Sequence, residues 1–291
     1  MRKEAYAGKF YPSDADELKK TIKKLAENLK IERIKKKIIA GISPHAGYIY
    51  SGKAAAEVYY AISESWKKEK ARPELFIILG TNHTGYATSD FSLSMEDFET
   101  PLGIAKNDCQ FGKKLLELAS KEEIGLKKDE NAHLAEHSIE VQIPFLQYFF
   151  KNFKILPILI NNYSPDSCGE LASLLFDAIK KSKKNAMIIA SSDFTHFGYM
   201  YGFMPFTADI KKQLYALDNK AINAICNLDV LAFMKISSKT TICGAGPISV
   251  AIEFARKYSS EVAVLDYYTS ADIAKEEGYK NAVGYAAIVF F

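Results

Sequence analysis

The chain has 291 residues, 48% apolar and 25% charged, with 18 Phe, 17 Tyr and only 9 Pro. That balance excludes disordered, collagenous and low-complexity classes and leaves ample length for a buried core. Lys plus Arg number 38 and Asp plus Glu 35, so the net charge of +3 is too small to imply nucleic acid or another polyanion as partner.

Ser13 and the acids behind it, followed by Leu18, Ile22, Leu25 and Leu29 at helical spacing, predict an amphipathic first helix capped by Ser13. Residues 1–40 hold 12 Lys/Arg against 6 Asp/Glu, without aromatic or glycine interleaving, and read as a solvated lysine face. Beyond it, short apolar runs alternate with helical stretches. Lys37-IIAGIS precedes a helix from about Gly52, and Glu74-LFIILG follows; Phe153-KILPILI precedes a helix from about Pro165; then come Ala186-MIIASS, Glu261-VAVLDYYTS and Ala282-VGYAAIVFF. Near-continuous apolar strands separated by helices predict an α/β fold, a mostly parallel central sheet with helices on both faces. Neither an internal repeat nor a Pro/Gly/Ser-rich linker divides the chain, so residues 1–291 are expected to form a single domain. No apolar run approaches the roughly 18 residues of a membrane span, and no signal-peptide core opens the chain. A cytoplasmic protein without a membrane partner is expected. Cys109, Cys168, Cys226 and Cys243 are scattered, which argues against a disulfide framework.

Histidine is the informative residue, because there are five. His45 follows one apolar run in SPHAGYIYSG, His83 another in GTNHTG, and His196 a third in SSDFTHFG. Ligands of open α/β sheets bind outside the carboxyl ends of strands, so these imidazoles are expected to converge on one crevice, where a transition metal is the natural tenant. Cys243 in TTICGAGPIS precedes a helix with Pro247 in its first turn; the dipole there favours a thiolate, and the alternative is a buried structural cysteine. Asp193, three residues before His196, is either a turn residue or a group that orients an imidazole or binds the metal. Tyr48, Tyr50, Phe194, Phe197, Tyr199 and Tyr201 surround these positions as wall and core, or as cover for a ligand.

His133 and His137 lie in NAHLAEHSIEVQIPFLQ, which matches H-x-x-E-H, a metallopeptidase pattern that needs both histidines and the glutamate on one helix. Ser138 and Pro144 interrupt such a helix, so the alternative is that Glu136 and His137 enter the strand-end crevice as acid, base or supporting groups.

Taken together, AGKFYP, SPHAGYIYSG, GTNHTG, AHLAEHSIEVQIPFLQ, SSDFTHFG and CGAGPI, in order from residue 7 to residue 248, resemble the Memo family, whose fold is similar to that of the class III extradiol dioxygenases. The resemblance implies that His45, His83 and Cys243 are metal ligands, that His196 with Asp193 lines the pocket as base or additional ligand, and that His137 stands nearby as a catalytic group. It implies Fe(II) or Cu, with Zn as a further possibility, and redox activity. Prokaryotic relatives are often encoded beside radical-SAM proteins, which implies a partner in such a pathway. A thiolate where the dioxygenases carry a carboxylate argues against catechol cleavage. Two other classes compete: a zinc hydrolase at the same ligands or at His133 and His137, and a binding module that holds a small molecule or peptide without turnover.

Overall fold

The structure is a computed structural model describing residues 1–27, 29, 31–32, 34–67, 72–275 and 279–291. The elements in chain order are α1 (Ala15–Ala26), β1 (Ala40–Ser43), α2 (Tyr48–Ser65), β2 (Leu75–Thr81), β3 (Phe91–Leu93), β4 (Phe98–Thr100), β5 (Gly103–Ala105), α3 (Cys109–Lys121), β6 (Leu126–Lys128), α4 (Glu130–His133), α5 (Ile143–Phe149), β7 (Lys154–Ile160), α6 (Pro165–Ser182), β8 (Ala186–Ser191), β9 (His196–Gly198), α7 (Ile210–Cys226), α8 (Val230–Ser237), α9 (Ala245–Arg256), β10 (Val262–Thr269), α10 (Ser270–Ala274) and β11 (Asn281–Phe290). The expected runs all carry strands. Three boundaries differ from the sequence reading. Helix α1 stops at Ala26, short of Leu29, where Glu27 turns extended and its amide bonds back to the Lys24 carbonyl. Asp14, not Ser13, caps α1, because its carboxylate accepts from the amides of both Asp16 and Glu17 and adds negative charge at the positive end of the helix. Helix α2 starts at Tyr48 behind Gly47, one turn before Gly52.

Among the described residues, the strands form a nine-stranded sheet in the order β10-β11-β1-β8-β2-β7-β3-β6, with β9 on β11, and a separate β4-β5 pair. The expected parallel arrangement forms the centre, where β1, β8, β2 and β7 pair in parallel. On the flanks β11 runs against β1, β10 and β9, and β3 runs against β7, while the edge strand β6 lies parallel to β3. The sheet is therefore mixed, its parallel part confined to strands whose connections pass through helices.

Alternation along each central strand feeds two cores. On β2, Leu75, Ile77 and Leu79 face the helices α3, α6, α8 and α9, whereas Phe76 and Ile78 face α2 and α5. Both faces are covered, as the continuous apolar runs require. In consequence the carboxyl ends of β1, β8 and β2 emerge side by side, with β8 in the middle. Every expected strand-end residue leaves from this row.

Candidate metal centre

His45 follows β1 by two residues, and His83 follows β2 by two. Their ring centroids are 5.0 Å apart at 86°. His137 joins them, 5.3 Å from His45 and 4.5 Å from His83, and one ligand atom from each of the three lies within 4.8 Å of the others. Cys243 meets this set at His45, its Sγ 3.2 Å from Nε2. Two donors sharing one ion at about 2.0–2.3 Å sit about 3–3.6 Å apart, so the pair has the spacing of atoms that can bind a common metal. His137, placed beside the site by the sequence resemblance, thus lies inside the compact donor set, with Cys243 adjoining it.

Two close backbone approaches bring these residues in. At the end of β2, a side chain at Gly80 would meet Ser138 Oγ and Ile139 at 2.6 Å; glycine lets the 136–139 turn lie against the strand, and with it His137. Ahead of α9, a Cβ on Gly244 would stand 2.3 Å from that of Ser192, so glycine lets Cys243 reach the end of β8.

The charges around the rings are ordered. Glu136, buried, accepts from the His83 amide at 2.7 Å and pairs with His83 Nδ1 at 2.9 Å. Burial pushes its carboxyl up, but the His83 hydrogen bond, the His83 and His137 charges and the Ser138 amide prevail and hold it at about 2. A carboxylate on Nδ1 leaves the His83 Nε2 lone pair for a metal. Burial, then the neighbouring imidazole charges, lowers His137 to about 3 and His45 well below the ordinary histidine value. These two rings are neutral at pH 7, the state in which imidazole binds a metal. Asp193 is buried; its Oδ1 accepts from the amides of His45 at 2.7 Å and Ala46 at 3.3 Å, so it pins the backbone of the first histidine. Burial raises its carboxyl, against the pull of His196 and those amides. Burial and the Asp193 charge push the Cys243 thiol up, against the α9 dipole that favours a thiolate.

A profile of the family described as Memo-like protein matches residues 2–289. Similar chains include a MEMO1 family protein of Methanosarcina acetivorans, 38% identical over 99% of this chain and 98% of its own length, and one of Pyrococcus furiosus, 35% identical over 99% and 98%. The chain belongs to the Memo family. Among solved structures, the uncharacterized protein JW3007 of Escherichia coli K12 shares the fold with a TM-score of 0.56 at 9% identity, covering 87% of this chain and 99% of that one.

Other candidate residues of this Memo protein fall to either side of the centre. His196 opens β9, its amide donating to Thr241 Oγ1 at 2.8 Å and its Nδ1 lying 3.1 Å from the Thr241 carbonyl. Only a donor suits a carbonyl, so Nδ1 carries the proton. His196 is close enough for its charge to act on His45 and Asp193. Tyr201 packs on its ring at 5.1 Å, and Tyr50, Tyr199 and Tyr201 are exposed, whereas Tyr48, Phe194 and Phe197 are core.

The metallopeptidase reading of H-x-x-E-H fails on geometry. Helix α4 ends at His133, so Glu136 and His137 follow in non-helical turns. His133 turns inward, its Nε2 2.9 Å from the Ser92 carbonyl and its ring against Phe98. Sequence reasoning missed what holds this segment. Arg2, buried, donates to the carbonyls of His133 at 2.6 Å and Glu136 at 2.8 Å and pairs with buried Glu140 at 2.7 Å. Glu140 accepts in addition from the amides of Ala5 and Tyr6 and from Tyr11 Oη. The strap so fixed lays Tyr6 and Phe10 on His137, with ring centroids 5.3 and 4.9 Å away. AGKFYP was the one visible trace of it, as a family motif without an assigned task.

Proposed function

We propose that this Memo protein is an iron- or copper-dependent oxidoreductase with its ion held by His45, His83 and His137 and by Cys243 beside His45. The observation that carries the reading is the meeting of three imidazoles within 4.8 Å with a thiol 3.2 Å from one of them. Imidazole suits iron, copper and zinc alike, and the soft sulfur weights the set toward copper and iron redox states. An iron or copper ion, when bound, supplies the electron transfer that no side chain provides. The chain's own groups do the rest. Glu136 orients His83, and Cys243 must give up its proton to serve as a donor. His196 Nε2 accepts and returns a proton, and Asp193 holds the backbone of His45 through the amides of His45 and Ala46. A small molecule or peptide is the ligand that Tyr50 and Tyr201 at the rim suit, since each presents an aromatic face and a hydroxyl.

Metal analysis of protein purified anaerobically, followed by oxygen uptake with and without a reductant, tests the proposal. Stoichiometric iron or copper and reductant-dependent uptake, both lost in His83→Ala, are expected. Absence of stoichiometric metal under every loading condition overturns it. Zinc alone, with no oxygen uptake, replaces redox chemistry by hydrolysis at the same donors.

A further inference from the structure

Glu136 supplies the acceptor behind His83, whereas among the described residues no carboxylate bonds the ring of His45. Its Nδ1 faces Ser191 Oγ at 3.1 Å, at the end of β8. Whether that hydroxyl gives or takes a hydrogen bond decides which nitrogen of His45 carries the proton, and the surroundings of Ser191 decide it. Its single hydrogen goes to the Ser138 carbonyl, 2.6 Å away, a group that only accepts. Gln142 Nε2 lies 2.8 Å from Ser191 Oγ, and the orientation of that amide is set independently: Nε2 also faces the Pro44 carbonyl at 2.9 Å, and Oε1 accepts from Tyr59 Oη at 2.9 Å. Turning the amide over would set its oxygen against the Pro44 carbonyl, which only accepts. Ser191 therefore donates once and accepts from Gln142, and its remaining lone pair is directed at His45. On the other side of the ring, Cys243 Sγ is 3.2 Å from Nε2 and 3.6 Å from the Asp193 carbonyl, two acceptors for its one hydrogen once Nε2 is bare. Tyr59, Gln142, Ser191 and Ser138 are all buried in the described chain, so water does not compete for these bonds.

The geometry points to Gln142 and Ser191 as positioning residues that hold His45 in its Nδ1–H form, with Nε2 bare and facing Cys243. They touch neither substrate nor metal; they act through His45. The inference deepens the metal-centre reading and rests on it for its purpose, although the tautomer itself is a property of the metal-free protein. It also makes the two strand-end histidines unequal. His83 leans on a buried carboxylate, whereas His45 leans on a neutral hydroxyl. The two supports belong to one segment, since Glu136, Ser138 and Gln142 lie within seven residues of one another.

The test is nitrogen NMR of the metal-free, reduced protein labelled at histidine, read together with titration of Fe(II) and Cu. In the wild type, His45 is expected to show a protonated Nδ1 and a bare Nε2. In Ser191→Ala the ring is expected to shift toward the Nε2–H form, with metal affinity lower by about 10–100-fold; Gln142→Leu, which frees the Ser191 hydroxyl to reorient, is expected to move both readouts in the same direction by less. An Nε2–H ring in the wild type overturns the inference, and so does Ser191→Ala that leaves tautomer and affinity unchanged. The wild-type spectrum requires no variant to fold. Should it show the Nδ1–H form while no metal binds at His45, the tautomer assignment stands and the metal-centre reading falls, so the two failures are distinguishable.

Discussion

His133 and His137 are four residues apart and come to opposite ends. His137 ligand atoms face those of His45 and His83, and the group has donor capacity to spare. His133 donates into the Ser92 carbonyl, beside an Arg2–Glu140 pair whose oxygens are filled by two amides and a tyrosine hydroxyl. Both rings are kept neutral by burial, His133 down to about 4 and His137 down to about 3. Burial and pKa alone therefore do not separate a ligand from a structural histidine. The partner does: a ring nitrogen spent on a carbonyl is closed, whereas one left bare in company with others forms a site.

If the N-terminal clasp is structural and the imidazole centre functional, variants should separate stability from metal binding. The largest stability effect is expected from Arg2→Ala, which strands the Glu140 carboxylate. Loss of about 3–5 kcal/mol in urea denaturation of the metal-free protein is expected. A much smaller loss would mean that the clasp is dispensable. Glu136→Gln should act on the other region, weakening metal affinity by about 10–100-fold, or about 1.4–2.7 kcal/mol, as read by competition with a chelator. Unchanged affinity would remove Glu136 from the support of His83. His133→Ala is expected to cost about 1–3 kcal/mol of stability, through an unpaired buried carbonyl and a cavity, with metal affinity intact; a loss of metal would revive the metallopeptidase pairing.

The pH dependence sharpens the contrast further. An unfolded imidazole titrates near 6.5, whereas folded His133 and His137 do so at about 4 and about 3. Between these values the unfolded chain binds more protons, so stability of the metal-free protein falls as pH drops from about 6.5 toward 4, by up to about 1.4 kcal/mol per pH unit for each ring. Buried Asp218 and Glu57, both raised to about 6, and Asp193, raised by burial, act in the opposite sense, because there the folded state binds the extra proton. His45, also lowered by burial, acts with the two rings, as does Glu136, held at about 2, so the fall prevails. A denaturation midpoint that is flat or rises across that window would contradict the assignment.

The sheet was legible because its central strands are buried on both faces and so read as unbroken apolar runs, Leu75-FIILG and Ile155-LPILI among them. The antiparallel flanks were less so, since an apolar run such as Ala282-VGYAAIVF carries no mark of its direction. In the site, His45 and His83 stand out as strand-end histidines beside glycine. The place of His137 depends on contacts that local patterns do not encode: a turn laid against Gly80, and Phe10 arriving from more than a hundred residues away. Arg2 is hidden for the same reason, as one of many basic residues in a lysine-rich opening. Gln142 reads as a polar residue in an amphipathic stretch, and only the bonds around Ser191 show what it touches.

The most direct test of the central claim is anomalous diffraction at the absorption edge of iron or copper from crystals of the metal-loaded protein. A single strong peak among the rings of His45, His83 and His137, with the sulfur of Cys243 in its coordination shell, is the predicted result. A peak at His133, an ion scattered over surface sites, or no peak after loading would contradict it.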